Sequence, residues 1–340
     1  MVGRRARRED HWMPPRVYRG KSAYEWHPKG GGAVRLCALD ATEADVWLAF
    51  RVAQGDVKVK HCQWLADEYF KSKEFADLAP RTKKDYKRYW ERLALVFGKQ
   101  QCNSVKPEHV RRYMDLRAES SVAMANKEKK LLAIMMRYGF ERGHTKENPC
   151  DPVKNFKEKG RDRYITDAEY NDFYNRASPM CQVMMDISYT CAARSQDVRK
   201  IRMADIKKEG LFIEQAKTGK KQVKLWTNRL RAAVTLAKQL RSQRMKSSTS
   251  LFLLVTSTGS PYTESGMKSL WRRERANYIK ATGKDINWTF HDIKAKAISD
   301  YQGDKQQFSG HKSHAMMERY NRSEDTVQAL DFSEKPQAKR

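Results

Sequence analysis

Met180-Cys181-Gln182-Val183-Met184-Met185-Asp186-Ile187-Ser188-Tyr189-Thr190-Cys191-Ala192-Ala193 runs straight into Arg194-Ser195-Gln196-Asp197-Val198. The first stretch is largely apolar and reads as a buried helix, whereas the second is polar. A cation and a carboxylate three residues apart therefore emerge where a core element ends. An arginine so placed reads as a site residue more readily than as a surface pair. Downstream, Gly210 to Trp226 alternates and turns at Thr218-Gly219-Lys220, the pattern of a hairpin with Lys217 at its tip. Further on come Thr289-Phe290-His291-Asp292-Ile293-Lys294, then Ser309-Gly310-His311-Lys312, then Glu318-Arg319-Tyr320. Each has a bland counterpart. Lys217 shares its turn with Lys220 and Lys221, a lone histidine is more often structural, and a lone tyrosine is more often a core aromatic.

Working upstream, Thr166-Asp167-Ala168-Glu169 is a capping-box signature that opens the helical segment. Before it, 151–163 is rich in Pro, Lys, Glu, Gly and Arg and predicts an extended linker. The stretch 58–150 is helical. Tyr86, Tyr89, Trp90, Leu93, Val96 and Phe97 fall at helical spacing, Lys106-Pro107 opens a second helix, and Leu131 to Phe140 marks a third. Their outer faces are basic: Arg81, Lys83, Lys84, Lys87 and Arg88, then Arg111 and Arg112, then Lys127, Lys129 and Lys130. Within 1–40, aromatic strand-like runs around Val17-Tyr18 and Tyr24-Glu25-Trp26, with a Gly30-Gly31-Gly32 turn, predict a very small sheet carrying Arg16, Arg19 and Lys21. The third segment is then 164–330, and 331–340 is a polar tail. The fold class is mainly α with small β-sheets (α+β).

With 68 Lys+Arg against 41 Asp+Glu, the 340-residue chain carries a formal charge of +27. So basic a chain calls for a polyanion, and the charge is spread along the chain rather than gathered on one amphipathic helix as a membrane surface would favour. The absence of an apolar run of roughly 18 residues argues against a membrane span. The six cysteines show no C-x-x-C spacing, so neither a disulfide framework nor zinc is expected.

Taken in order, Ala193-Arg194-Ser195-Gln196-Asp197, Lys217 in Ala216-Lys217-Thr218-Gly219-Lys220, His291, Gly310-His311 and Tyr320, nine residues after His311, resemble the tyrosine recombinase (phage integrase) family. Trp12 to Leu36 is similar to the arm domain of temperate-phage integrases. One position departs: the family's second arginine is Lys294 here, a point charge where a guanidinium would grip two phosphate oxygens.

The resemblance implies an arm-binding domain, a helical core-binding domain and a catalytic domain. It also implies a site-specific recombinase acting through a 3′-phosphotyrosine, with no cofactor and no metal. Tyr320 would be the nucleophile, Arg194, Lys294 and His311 would neutralise the transition state, and Lys217 would be the general acid. His291 would assist proton transfer from the tyrosine. Asp197 would hold His or Arg side chains in position, and Lys296 would help Lys294. Implied partners are double-stranded DNA at core and arm sites, three further copies in a homotetramer, an excision factor and a host DNA-bending protein. The implied place is the cytoplasm of a bacterial host, at the nucleoid. The rival readings are a type IB topoisomerase-like enzyme, against which the N-terminal arm argues, and an impaired DNA-binding or architectural factor, which Lys294 favours. A metal-dependent nuclease lacks a carboxylate cluster.

Overall fold

The computed structural model describes residues 11–55, 60–158, 160–244, 250–323 and 327–329. Arg4, Arg5, Arg7 and Arg8 and the 331–340 tail lie outside the described residues. The chain divides into two compact units, 1–159 and 160–340.

In the first unit, β1 (Val17–Arg19), β2 (Ala23–Trp26) and β3 (Val34–Ala38) form an antiparallel sheet in the order β1-β2-β3, with Val17 opposite Trp26. Strands this short cannot bury a core alone. A helix that the sequence pattern did not announce, α1 (Glu43–Ala53), covers the sheet by packing Val46 and Phe50 against Val17 and Tyr24. Its signal was the reciprocal cap: Thr42 Oγ1 accepts from the Asp45 amide, and the Asp45 carboxylate accepts from the Thr42 amide. The sheet-bearing segment therefore extends past residue 40. Arg16, Arg19 and Lys21 are exposed on it.

The rest of this unit is helical: α2 (Cys62–Lys71), α3 (Lys73–Ala76), α4 (Pro80–Phe97) and α5 (Pro107–Glu141). Leu65, Tyr69, Trp90, Leu93, Phe97, Met114, Leu132 and Met136 form its core. The stretch Pro107–Glu141 holds the two helices that the sequence pattern separates, and they meet at a kink where Ser121 leaves helical geometry (φ −169°, ψ 105°). Lys84, Lys87, Arg88, Arg112, Lys127 and Lys130 are solvent-exposed, as is Arg81, which pairs with Asp85. Lys83 and Arg111 are half-buried: Lys83 donates to the Ala76 carbonyl and Arg111 to the Lys154 carbonyl.

The second unit is built around α7 (Pro179–Cys191), whose Val183, Met184, Met185 and Ile187 are buried. Around it lie α6 (Asp167–Arg176), α8 (Ser195–Arg199), α9 (Asn228–Arg244), α10 (Glu264–Thr282), α11 (Phe290–Asp300), α12 (Lys305–Ser309) and α13 (His314–Glu318). Between α8 and α9, β4 (Gly210–Glu214) and β5 (Lys221–Leu225) form the hairpin, with Gly210 opposite Leu225 and Glu214 opposite Lys221. The capping box at Thr166 and Glu169 forms. All six cysteines are free thiols. No helix of the described residues is long and apolar enough to cross a membrane.

Candidate active site

The site begins where α7 ends. Ala192 takes a left-handed conformation (φ 48°), unusual for a residue with a Cβ, and stops the helix within one residue. The chain then leaves the core with Arg194 half-buried at the start of α8. Asp197 does not hold a histidine or arginine side chain, contrary to expectation. One carboxylate oxygen accepts from the Arg194 amide (3.1 Å) and the other from the Ala216 amide (3.0 Å). It caps α8 and ties it to the hairpin loop, because Arg194 sends its guanidinium elsewhere.

That guanidinium donates from Nη1 to Gln215 Oε1 (2.9 Å), and its Nη2 lies 3.5 Å from His311 Nε2. Gln215 is a buried residue that sequence reasoning missed. Its Nε2 donates to the Ser309 carbonyl (2.8 Å), and its Oε1 also accepts from Thr218 Oγ1 (3.1 Å). The hairpin in fact satisfies three successive carbonyls at the end of α12. Gln222 Nε2 donates to Gln307 (2.6 Å), Lys224 Nζ to Phe308, and Gln215 to Ser309. The last carbonyls of a helix have no partner within it, so side chains from another element supply them here. Only proximity in the sequence was legible, and these pairs lie 84 to 94 residues apart.

Gly310 comes next in left-handed geometry (φ 66°), and a Cβ there would lie 2.5 Å from Gln215 Nε2 and 2.9 Å from Gln222 Oε1. The glycine therefore lets His311 meet the hairpin. A guanidinium has no acceptor, so His311 presents its Nε2 lone pair to Arg194 and carries its proton on Nδ1, toward Ser309 Oγ at 2.7 Å. Burial, then the charges of Lys294, Arg194 and Lys217, push the His311 pKa down to about 4. Lys217 itself is exposed in the turn.

Tyr320 lies just after α13. Its ring stacks on His311 (centroids 4.8 Å apart, 25° between planes) and meets His291 edge-on, with His291 Nε2 3.3 Å from its hydroxyl. The His291 pKa is lowered by desolvation and by the positive charges of Arg194, Lys294 and Arg322, against the opposing charge of Asp292, although the residue is exposed to solvent. Unprotonated, it is suited to accept the phenolic proton.

Lys294 is fully buried, with Nζ donating to the Ala192 carbonyl (2.6 Å) and the Ser309 carbonyl (3.3 Å). Its ammonium lies 6.0 Å from the Tyr320 ring centre. Burial and the Arg194 charge push its pKa down to about 7. Lys296 gives Lys294 no help. Two residues further along α11 its side chain leaves on another side, where it binds Asp167 (2.5 Å), Asp300 (3.0 Å) and Tyr164 (3.1 Å). Lys224, also unforeseen, is desolvated to a pKa of about 8 beside Phe308. Arg194, His291, Lys294, His311 and Tyr320 thus share one cluster, with Lys217 on the neighbouring turn. Among the described residues, no group of three or more His, Cys, Asp or Glu is placed to hold a metal ion.

Fold and cluster together define a tyrosine recombinase. Residues 163–326 match the model of the phage integrase family. The integrase of Escherichia phage HK022 is 25% identical over 350 residues, spanning 95% of this chain and 97% of that protein. The structure of a lambda integrase dimer bound to a COC' core site is similar in fold, with TM-score 0.68 at 18% identity over 96% of this chain and 100% of that one. The Tn1549 transposon integrase in complex with circular intermediate DNA reaches 0.63 at 14% identity, over 81% and 97%. Residues 163–326 carry the phage integrase family's domain, and the protein is a site-specific DNA recombinase.

Proposed function

We propose that this recombinase integrates and excises phage or mobile-element DNA, with Tyr320 as its nucleophile. The observation that carries the assignment is the Tyr320 hydroxyl 3.3 Å from His291 Nε2, its ring stacked on a His311 that faces Arg194. Tyr320 Oη attacks the scissile phosphorus and its proton passes to His291. The bond to the 5′ oxygen breaks, and Lys217 protonates that oxygen as it leaves. Arg194, with the Lys294 charge behind it and His311 beside it, neutralises the non-bridging oxygens. A 5′ hydroxyl of the partner strand then attacks the 3′-phosphotyrosine and frees Tyr320. In that second step the proton of the 5′ hydroxyl returns to Lys217 and His291 gives its proton back to Tyr320; each step exchanges one phosphodiester bond for another, so no cofactor enters the balance.

The basic residues, most of them exposed, support the division of labour. Arg16, Arg19 and Lys21 on the small sheet serve arm sites. Arg81, Lys83, Lys84, Lys87, Arg88, Arg111, Arg112, Lys127 and Lys130 serve the core site, mostly as phosphate contacts. Residues 58–150 then form the core-binding domain and 164–330 the catalytic domain. A lambda integrase tetramer bound to a Holliday junction is similar in fold (TM-score 0.66, 16% identity), which supports assembly of four copies on paired duplexes. An excision factor and a DNA-bending protein are the accessory partners this reading expects, at the nucleoid of a bacterial host.

Covalent trapping tests it. The probe is a nicked duplex selected from a randomised pool by binding to the wild-type protein, incubated in EDTA. An adduct that survives SDS and vanishes in Tyr320→Phe is expected. Tight binding with no adduct would favour the second reading, a DNA-binding factor with impaired chemistry, for which the engagement of Lys294 Nζ by two backbone carbonyls speaks.

A further inference from the structure

A nucleophile acts only if it is held. Helix α13 has five residues, too few to be stable alone, and Tyr320 hangs just beyond its end. The two residues after the tyrosine hold it instead. Lys305 Nζ donates to Asn321 Oδ1 (2.9 Å), and the Arg322 amide donates to Ser299 Oγ on α11 (2.7 Å). Arg322 then turns inward, its side chain 9% exposed, and donates from Nη1 to Asp292 Oδ1 (2.8 Å) and to the Arg163 carbonyl (3.0 Å).

Asp292, 4% exposed at the side chain, is the centre of this arrangement. Its other oxygen accepts from the Thr289 amide (2.8 Å), from Thr289 Oγ1 (2.7 Å) and from Arg161 Nη1 (3.2 Å). The same carboxylate thus caps the first turn of α11, which presents His291 to the tyrosine, and fixes the segment that carries the tyrosine. Desolvation would raise its pKa, but the hydrogen bonds from Thr289 and Arg322 hold it below the usual carboxylate range. A buried pair of this kind is costly to break from one side only, since the remaining charge is left uncompensated.

We infer that Arg322, through Asp292, is a positioning residue that seats Tyr320 against His291. It touches neither the tyrosine hydroxyl nor the histidine ring in a hydrogen bond; it acts by fixing the backbone two residues downstream. The inference rests on Tyr320 being the nucleophile. It also makes the segment around Arg161 and Arg163 a third party to the seating, because both residues bond to the same clip.

The test uses the full chain and the nicked duplex selected by binding. Arg322→Gln, Arg322→Lys, Asp292→Asn and the double variant Asp292→Asn/Arg322→Gln are compared for single-turnover adduct formation, DNA affinity and melting temperature. A misplacement of about an ångström at a reacting group costs on the order of a hundredfold in rate. Arg322→Gln is expected to slow adduct formation by about tenfold to a hundredfold with affinity within about twofold of wild type. Arg322→Lys should recover part of the loss, and the double variant should be no slower than the worse single one, as residues of one network are non-additive. Wild-type rates in Arg322→Gln, or rate and affinity falling together in Arg322→Gln and Arg322→Lys alike, would overturn the inference. An adduct persisting in Tyr320→Phe would instead sink the nucleophile assignment beneath it.

Discussion

Gly310 answers two demands at once: a left-handed backbone, and no atom where Gln215 and Gln222 crowd the site. Gly310→Ala therefore adds strain of about 1 kcal/mol from the backbone alone and pushes Gln215 off Arg194. We expect a lower melting temperature and a cleavage rate reduced by on the order of tenfold, read by calorimetry and single-turnover trapping. Lys294 yields a second prediction, from its sign. Its ordinary value of 10.5 falls to about 7 in the folded chain, so between those values the unfolded chain binds the proton and the folded chain does not. Folding is penalised in full below pH 7, and stability from this group rises as pH climbs toward 10.5. Activity runs the other way, because the charge at 294 is lost as pH rises. Bound phosphate moves that loss upward, and an arginine does not titrate in the range at all. Wild-type cleavage should decline on the alkaline side while Lys294→Arg stays level to about pH 9; identical profiles would show that charge at 294 does not limit the reaction.

Elements were legible where their signals are local. Tyr89, Trp90, Leu93 and Phe97 are buried on α4 at the spacing their periodicity announces, and Thr166 with Glu169 caps α6. α1 was not anticipated because only Val46 and Phe50 on it are buried, a face too narrow to register as periodicity. The two helices read from Lys106-Pro107 and from Leu131 to Phe140 are both present, and only the place of the kink between them, Ser121, left no mark in composition. For the site, motif order and spacing name the residues, whereas Gln215, Lys224 and the backbone role of Asp197 arise from chain segments brought together only by folding. α1 offers its own check. Thr42→Ala removes the side-chain half of its cap and should cost about 1 kcal/mol, read as faster hydrogen exchange in α1 with the second unit unchanged.

At the scale of the whole molecule, +27 charges bind polyanions indiscriminately unless some are engaged internally. Lys83 and Arg111 are engaged in part by carbonyls of their own chain, while Lys84 and Lys87 are open to solvent. Lys87→Ala should therefore lower the slope of log K against log salt by about 0.9, the loss of one phosphate contact, and Lys83→Ala by clearly less. Titrating DNA affinity against salt for the pair distinguishes a charge list from an interface. The three bonds from the hairpin to the end of α12 bear on engineering. Residues 216–219 form the stretch that can be exchanged between relatives as a cassette. Gln215, Gln222 and Lys224 must be kept when it is exchanged, because each of these side chains completes a backbone carbonyl of 307–309 that no side-chain change there removes. A chimera that swaps the whole hairpin for one with other residues at 215, 222 and 224 will bring its Lys217 loop intact but leave the end of α12, and His311 after it, without that support.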